Sequence, residues 1–166
     1  MRLNLREIIH IPGASAPFQF SLDLSQADFY GERPINRPVE VSGTVKNHAG
    51  ALVLEGTVRT ELSLICDRCL EPFTREKTVS LHYLLAEELE GEEEDEIILL
   101  DGEELDVGDL AASALILDMD TKHLCSENCK GLCPGCGANL NRESCRCKAE
   151  VDPRWAALSQ LLDKTE

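Results

Sequence analysis

The eight cysteines of this chain occur in close pairs, and their spacing limits the possible folds more than any other feature. Cys66 and Cys69 stand alone in mid-sequence, and six more fall within 23 consecutive positions. Those six are Cys125, Cys129, Cys133, Cys136, Cys145 and Cys147. Eight thiols divide into two sets of four, and four thiolates are a usual ligand set of a tetrahedral structural Zn²⁺. The sequence therefore predicts two zinc sites that hold part of the chain together.

The partition of the cysteines between two ions follows from the turns that they flank. The simplest partition places the last four, from Cys133 to Cys147, at one ion. The other four then form a second site, which joins the tail to the Cys66–Cys69 pair across 55 intervening residues. The common ribbon pattern instead separates two CxxC pairs by about 15–20 residues. The partition is therefore open at this point, and His123, two positions before Cys125, is an alternative ligand.

Other interpretations of the cysteines need contexts that the sequence does not supply. Disulfides require an exported protein, and a thioredoxin-like CxxC requires a βαβ unit. Cys129, Cys133 and Cys136 have the spacing of radical enzymes with an iron–sulfur cluster, but the chain is too short for their large α/β barrel. Other iron–sulfur ligation remains an alternative, because thiolates also bind iron. A catalytic zinc keeps an open position, which four thiolates would fill. No enzyme and no small-molecule substrate is predicted.

Charge is distributed unevenly along the 166 residues, whose formal net charge is −15. Residues 1–60 are neutral, residues 61–120 carry −16 and residues 121–166 carry +1. Broad, non-specific binding to nucleic acid is disfavoured, because phosphate attraction needs a basic surface. A local basic face in the tail, or an acidic face that receives a basic protein, stays open. The start of the sequence has no signal-peptide pattern and no apolar run long enough for a membrane span, so a soluble, cytoplasmic protein is predicted.

Alternating apolar residues predict strands through the first 85 residues. The predicted strands are residues 3–9, 18–24, 39–45, 51–65 and 73–85, with a bulge or bend at Gly56. Cys66 and Cys69 fall at the tip of the hairpin formed by the last two. Residues 87–96 form an acidic loop with eight acidic residues, and residues 97–100 resume a strand. The fold class is α+β, with an antiparallel β meander or a partly closed barrel.

Two helices complete the predicted architecture. Asp106 caps a middle helix over residues 107–119, and Asp152 caps a short terminal helix that begins at Pro153. The apolar stripe of the terminal helix comprises Trp155, Leu158, Leu161 and Leu162. We expect residues 1–120 to form a β-rich domain. Residues 121–166 form a cysteine-rich zinc-knuckle tail that packs back on the 66–69 hairpin.

Three segments of the chain form a specific pattern, and they are CDRCLEPF from Cys66, LCSENCKGLCPGCGANLN from Leu124, and DPRW from Asp152. Together they resemble the YceD family of large ribosomal RNA subunit accumulation proteins. The resemblance extends from about Val39 to the C-terminus, and its most specific part is the tail string. It implies a bacterial or plastid factor that is needed for normal levels of the large-subunit (23S) ribosomal RNA. The family looks like a non-enzymatic assembly or processing factor.

Two modes of action follow from the resemblance and the charge pattern. In the first, zinc-ordered turns present basic side chains to ribosomal RNA or to its precursor particle. The candidate RNA- or partner-binding residues are Arg68, Lys122, Lys130, Arg142, Arg146, Lys148 and Arg154. In the second, the chain is a zinc-stabilised adaptor whose acidic face binds a basic ribosomal protein without touching RNA.

Overall fold

Four long strands form a meander that carries the rest of the molecule. A computed structural model describes residues 1–29, 31–87, 97–145 and 147. In chain order the elements are β1 Arg2–Asn4, α1 Arg6–Ile9, β2 Ser15–Leu22, β3 Val39–His48, β4 Ala51–Ile65, β5 Pro72–Ala86, β6 Ile97–Leu99, β7 Glu104–Asp106 and α2 Val107–Leu117. The main sheet has the order β2-β3-β4-β5-β6, and β1 pairs with β7 in a second, two-stranded sheet.

The buried face of the main sheet follows the predicted period of two. On β4 the residues at Leu52, Leu54, Val58, Leu62 and Leu64 are buried. Successive side chains of a strand point to opposite faces, so these even positions pack together on one side. They join residues of α1 and α2 in one apolar cluster. The predicted strands of the meander are therefore confirmed, and the core lies between the sheet and the helices.

Gly56 does not mark a bulge, contrary to the sequence prediction. Gly43 of β3 and Gly56 of β4 are direct partners in an unbroken antiparallel register. A Cβ on Gly43 would lie 2.5 Å from Cζ of Phe18 and 2.4 Å from the Glu55 carbonyl oxygen. The two glycines thus leave the space that the Phe18 ring occupies, and they allow close packing at this pair.

The sheet also differs from a purely antiparallel meander or barrel. Strand β6 runs parallel to β5, with Leu84 opposite Ile97 and Ala86 opposite Leu99. Within the described residues β2 and β6 are not paired with each other, so the sheet is open and the barrel alternative gains no support. Of the acidic loop only Glu87 belongs to the described residues, and the predicted terminal helix with Trp155 lies outside them.

Residues 6–9 form a helical turn where the sequence predicted a strand. The turn buries Leu5 and Ile8, three positions apart, against the sheet. Its last carbonyls are satisfied by Asn47, whose Nδ2 donates to the oxygens of Ile8 and Ile9, both at 2.8 Å. The Oδ1 of Asn47 accepts from the Gly50 N–H at 2.8 Å. One almost fully buried amide therefore fixes both α1 and the β3–β4 turn.

Replacing Asn47 with alanine should lower the free energy of unfolding by about 2–3 kcal/mol, because buried polar backbone groups lose their partners. Urea denaturation of the full chain measures the change. Ser21→Ala, at an exposed position of β2, is the control and should change stability by less than about 0.5 kcal/mol. Equal effects of the two changes would contradict the role of Asn47.

Helix α2 follows the sequence prediction closely. The side chain of Asp106 accepts from the N–H groups of Gly108 and Asp109, as expected of an N-cap. The helix ends at Leu117, two residues earlier than predicted, and Asp118 is its C-cap. None of the helices in the described residues is long and apolar enough to cross a membrane.

Candidate metal centres

The first pair of cysteines lies at the tip of the β4–β5 hairpin. Cys66 directly follows β4, and its N–H donates to the Glu71 carbonyl at 2.9 Å. The Leu70 N–H donates to the Cys66 carbonyl at 2.8 Å, and Leu70 adopts a left-handed φ of 56°. This conformation is uncommon for a residue with a side chain. The tight turn holds the Cys66 and Cys69 sulfurs close together while both residues stay buried.

The tail delivers two further sulfurs to this turn. The Sγ atoms of Cys66 and Cys129 lie 3.8 Å apart, and those of Cys69 and Cys125 lie 3.7 Å apart. All four sulfurs of this first set lie within 4.8 Å of one another. A tetrahedral ion with metal–sulfur bonds of about 2.3 Å separates its ligands by about 3.8 Å. The first set therefore has the size of a single tetrahedral site.

Hydrogen bonds attach the tail to the hairpin independently of any ion. Asp67 donates its N–H to the His123 carbonyl at 2.9 Å, and its Oδ2 accepts from the His123 N–H at 2.6 Å. The Arg68 guanidinium donates to the Cys129 carbonyl at 2.9 Å. The guanidinium of Arg75 bonds to the Leu124 carbonyl. The peptide groups around Cys125 and Cys129 are thus held against the turn that carries the first pair.

The second set consists of Cys133, Cys136, Cys145 and Cys147, whose sulfurs also lie within 4.8 Å of one another. The Cys133 N–H donates to the Ala138 carbonyl, and the Gly137 N–H donates to the Cys133 carbonyl, both at 2.8 Å. These bonds close the turn around Cys136. The Cys145 sulfur lies 3.1 Å from that of Cys133 and 3.5 Å from that of Cys136. The set is more exposed than the first, since only Cys133 is buried.

The sulfur geometry separates the chemical alternatives. All eight cysteines are free thiols, and the closest sulfur–sulfur distance given above, 3.1 Å, is well beyond a disulfide bond of about 2.05 Å. An iron–sulfur cluster places its own iron and sulfide atoms between its cysteines and so needs them further apart. In each set the four sulfurs lie within 4.8 Å of one another, which instead fits a single ion per set. The two sets, divided as the simplest partition predicted, can each hold a metal ion.

Proton binding in each set is uneven, as expected of crowded thiols. A hydrogen bond from the Cys125 backbone is the main cause that lowers the pKa of Cys66 to about 6. The thiol of Cys145 chiefly lowers the pKa of Cys133 to about 6. Conversely, the neighbouring Cys136 sulfur is the main cause that raises the pKa of Cys147 to about 12. Adjacent thiolates repel one another, so a bound cation is what allows all four to lose their protons.

His123 is not part of either sulfur set. Its backbone groups bond to Asp67, and its Nδ1 is buried without a hydrogen-bond partner among the described residues. Its contribution in the structure is to the backbone pairing beside Cys125.

The predicted basic residues differ in their surroundings. Arg68 bonds to the carbonyls of the Cys125–Cys129 loop, and Arg142 forms an ion pair with Glu71. Lys122 and Lys130 are exposed, and neither side chain forms an ion pair within the described residues. Arg146, Lys148 and Arg154 lie outside the described residues. Of the four predicted basic residues that the structure describes, two therefore form bonds to other parts of the same chain.

The polar residues that connect the two sets were not predicted from the sequence. Glu71 accepts from Asn139 Nδ2 at 3.2 Å and from Arg142. The amide of Asn141 donates to the Cys129 sulfur at 3.3 Å. The asparagines follow the Cys133–Cys136 pair in the string GANLN, which was the available signal. Their role depends on contacts with residues up to 68 positions away.

Gly131 occupies a position that a side chain would disturb. Its φ is 73°, and an added Cβ would lie 2.9 Å from the Arg68 carbonyl oxygen, which accepts from the Leu132 N–H. Gly131→Ala should therefore loosen the contact between tail and hairpin, seen as faster amide exchange of Leu132. Gly137→Ala is the matched control, because its φ is 74° with nothing within 4 Å. Gly137→Ala should lower the free energy of unfolding only by the conformational cost of a side chain at positive φ, about 1–2 kcal/mol. Equal exchange in both variants would contradict the steric argument.

Comparison with known proteins places these features in a family. The model of the YceD family, described as large ribosomal RNA subunit accumulation protein YceD, matches residues 54–162. An uncharacterised protein of Mycobacterium tuberculosis is 32% identical over 122 residues, which cover 71% of this chain and 59% of that protein. No solved structure matches the chain.

Two plant proteins extend the comparison. The chloroplastic large ribosomal RNA subunit accumulation protein YCED homolog 1 of Zea mays is 32% identical, covering 89% of this chain and 61% of that protein. Its counterpart in Arabidopsis thaliana is 30% identical, covering 80% of this chain and 51% of that protein. The chain thus spans between half and three-fifths of the length of these relatives. The matched residues include both sulfur sets, and the chain belongs to the YceD family of large ribosomal RNA subunit accumulation proteins.

Proposed function

We propose that this chain is a non-enzymatic ribosome biogenesis factor, required for the accumulation and processing of 23S ribosomal RNA in the cytoplasm. The observation that carries the proposal is the family match over residues 54–162, which includes all eight cysteines. The family's printed description names accumulation of the large-subunit RNA. The processing role and the site of action are part of the proposal.

Two Zn²⁺ ions serve a structural role in this proposal. Cys66, Cys69, Cys125 and Cys129 bind one ion, and Cys133, Cys136, Cys145 and Cys147 bind the other. Four thiolates fill a tetrahedral shell, so neither ion keeps a position for a substrate or a water. The ions hold the tail, with the terminal helix predicted from Pro153 onward, as a knuckle on the β-rich part of residues 1–120. Metal analysis of the purified, reduced chain should give two zinc ions per chain.

Exposed lysines of the tail are the proposed contact with ribosomal RNA. Lys122 and Lys130 flank the first sulfur set and are exposed. Arg146, Lys148 and Arg154 add positive charge to the same part of the sequence. Arg68 and Arg142 contribute mainly by holding the tail in place, since both bond to the protein. The basic tail then faces phosphate, while the acidic middle of the chain supplies no attraction to RNA.

The charge-reversed double variant Lys122→Glu, Lys130→Glu tests this proposal. We expect weaker binding to a large-subunit ribosomal RNA fragment, because two phosphate contacts are lost. The slope of log affinity against log salt should fall by about two, one for each lost contact. Filter binding or fluorescence anisotropy across a salt series measures both effects. The same variant, expressed in cells that lack the endogenous protein, should fail to restore 23S RNA levels.

Arg33→Glu, Arg59→Glu is the matched control. Both arginines are exposed and neither forms an ion pair within the described residues, and the net charge changes equally. This control should keep the wild-type salt slope. Equal losses in the two double variants would contradict a localised RNA surface.

The adaptor remains the second candidate, favoured by the internal bonding of Arg68 and Arg142 and by the −16 charge of residues 61–120. It would bind a basic ribosomal protein without RNA contact. Unchanged co-sedimentation of the Lys122→Glu, Lys130→Glu variant with large-subunit precursors would favour the adaptor over RNA binding.

A further inference from the structure

Asn141 forms a direct connection between the two sulfur sets. Its Nδ2 donates to the Cys129 sulfur at 3.3 Å, and its Oδ1 accepts from the Lys130 N–H at 2.8 Å. Cys129 belongs to the first set, whereas Asn141 lies in the segment between Cys136 and Cys145 of the second. A side chain positioned by one set therefore touches a sulfur of the other.

We propose that the two metal sites are thermodynamically coupled through Asn141, so that metal binding at the second set raises the affinity of the first. The inference rests on the proposed binding of metal by both sets. Asn141 acts here as a positioning residue and does not itself bind the ion.

The physical basis is the charge that each loaded site carries. Four thiols that bind one divalent ion release four protons, which leaves a net charge of −2 on the site. An N–H group that donates to a ligand sulfur stabilises this charge, and loss of such a donor commonly lowers metal affinity by about 10–100-fold. Asn141 supplies a donor of this kind to Cys129. The first site therefore gains affinity only when the segment that carries Asn141 is folded.

The second site determines whether that segment is folded. Few large apolar residues lie between Cys133 and Cys147, and Leu140 is only partly buried. The backbone bonds that hold the segment include the Leu140 N–H to the Gly131 carbonyl at 2.9 Å. An ion bound by cysteines on both sides of Asn141 closes the segment into a loop and fixes the amide beside Cys129. Repulsion between the two negative sites opposes this effect, but water and salt screen it because the second set is largely exposed.

Glu71 provides the alternative route that the experiment must separate. It accepts from Asn139 Nδ2 at 3.2 Å and pairs with Arg142, so the hairpin also contacts the segment away from any sulfur. Coupling through Glu71 alone would persist in the Asn141 variant, so removal of the second site would weaken the first site there as much as it does in the wild-type chain. A double-mutant cycle that includes Asn141 therefore isolates the route through the amide.

Titration of the reduced, metal-free full chain with Co²⁺ against a competing chelator tests the coupling. The second site is removed with Cys136→Ser, Cys147→Ser, and the amide with Asn141→Ala. We expect each change to weaken Co²⁺ binding at the first site by about tenfold. The combined variant should lose little more Co²⁺ affinity at the first site than either variant alone, because both changes remove the same hydrogen-bond donor. Asn128→Ala, at an exposed position beside Cys129, is the control and should leave the affinity unchanged.

The sulfur-to-cobalt absorption band supplies a readout that a purely structural role would not move. A hydrogen bond lowers the energy of the sulfur lone pairs, so its removal in Asn141→Ala should shift the first-site band to longer wavelength. The inference would be overturned if the losses of Co²⁺ affinity were additive, or if removal of the second site left the affinity of the first site unchanged. Either result would leave the proposed metal binding intact. Fewer than two Co²⁺ ions per wild-type chain would instead refute the proposed metal binding, and the inference with it.

Discussion

A zinc chelator added to the reduced protein should unfold the cysteine-rich segment and leave the main sheet folded. Structural zinc contributes about 10 kcal/mol or more to the folding of small modules, which is more than the apolar contacts near these sulfurs supply. Cys66, Cys69 and Cys129 form their own small buried cluster, with partly buried Phe73, Leu124 and Leu132 against it. The large apolar core between sheet and helices contains none of the cysteines. The two parts therefore depend on different forces.

Limited proteolysis and amide exchange measure this separation directly. Cleavage sites should appear within residues 121–147, while amides of β3, β4 and β5 stay protected. Chelator that is saturated with zinc beforehand is the control, and it should change neither the cleavage pattern nor the amide exchange. A tail that stays protected after metal removal would refute the structural role of the ions. Loss of sheet and tail together would show one cooperative unit.

Single cysteine substitutions should reduce the metal content from two ions to one and unfold different lengths of chain. Cys133→Ser removes a ligand of the second set, and we expect unfolding of residues 131–147 with the first site still loaded. Cys66→Ser removes a buried ligand of the first set and frees the 123–130 segment from the hairpin. The remaining bonds of Asp67 and Arg68 to that segment are each worth only about 0.5–3 kcal/mol. They do not replace an ion.

Metal analysis and peptide-resolved amide exchange distinguish these two variants. Ser144→Ala, next to Cys145 at an exposed position, serves as the control and should retain both ions. If Cys66→Ser kept two ions, the grouping of the sulfurs into these two sets would be wrong. Equal exchange patterns in Cys66→Ser and Cys133→Ser would show that the sites unfold as one.

The meander and α2 could be predicted because their signals are local. Alternating residues of β4 are buried on one face, and Asp106 caps the helix that directly follows it. The pairing of neighbouring cysteines was also accessible, because short turns bring close pairs together. The assignment of Cys125 and Cys129 to the Cys66–Cys69 turn was left open by the sequence, because it spans 55 intervening residues.

The missed elements depend on distant contacts. The turn at α1 resembles a strand in sequence, but Asn47, 39 positions after Ile8, satisfies its carbonyl groups. The parallel direction of β6 depends on where the chain returns to the sheet, which three apolar residues cannot specify. The internal bonds of Arg68 and Arg142 likewise required the fold, because composition does not separate a cation that holds a loop from one that faces solvent.

The parallel pairing of β5 and β6 has a consequence for how this family can vary. Ala86 ends one strand, and Ile97 begins the next opposite Leu84, so the chain leaves and re-enters the sheet at the same end. Ten residues can extend over about 33 Å, far more than neighbouring strands about 5 Å apart require. Lengthening such a connection twofold costs only about 0.6 kcal/mol in closure entropy. The length and charge of this connection can therefore change while the sheet stays constant, and an affinity tag grafted there should be tolerated.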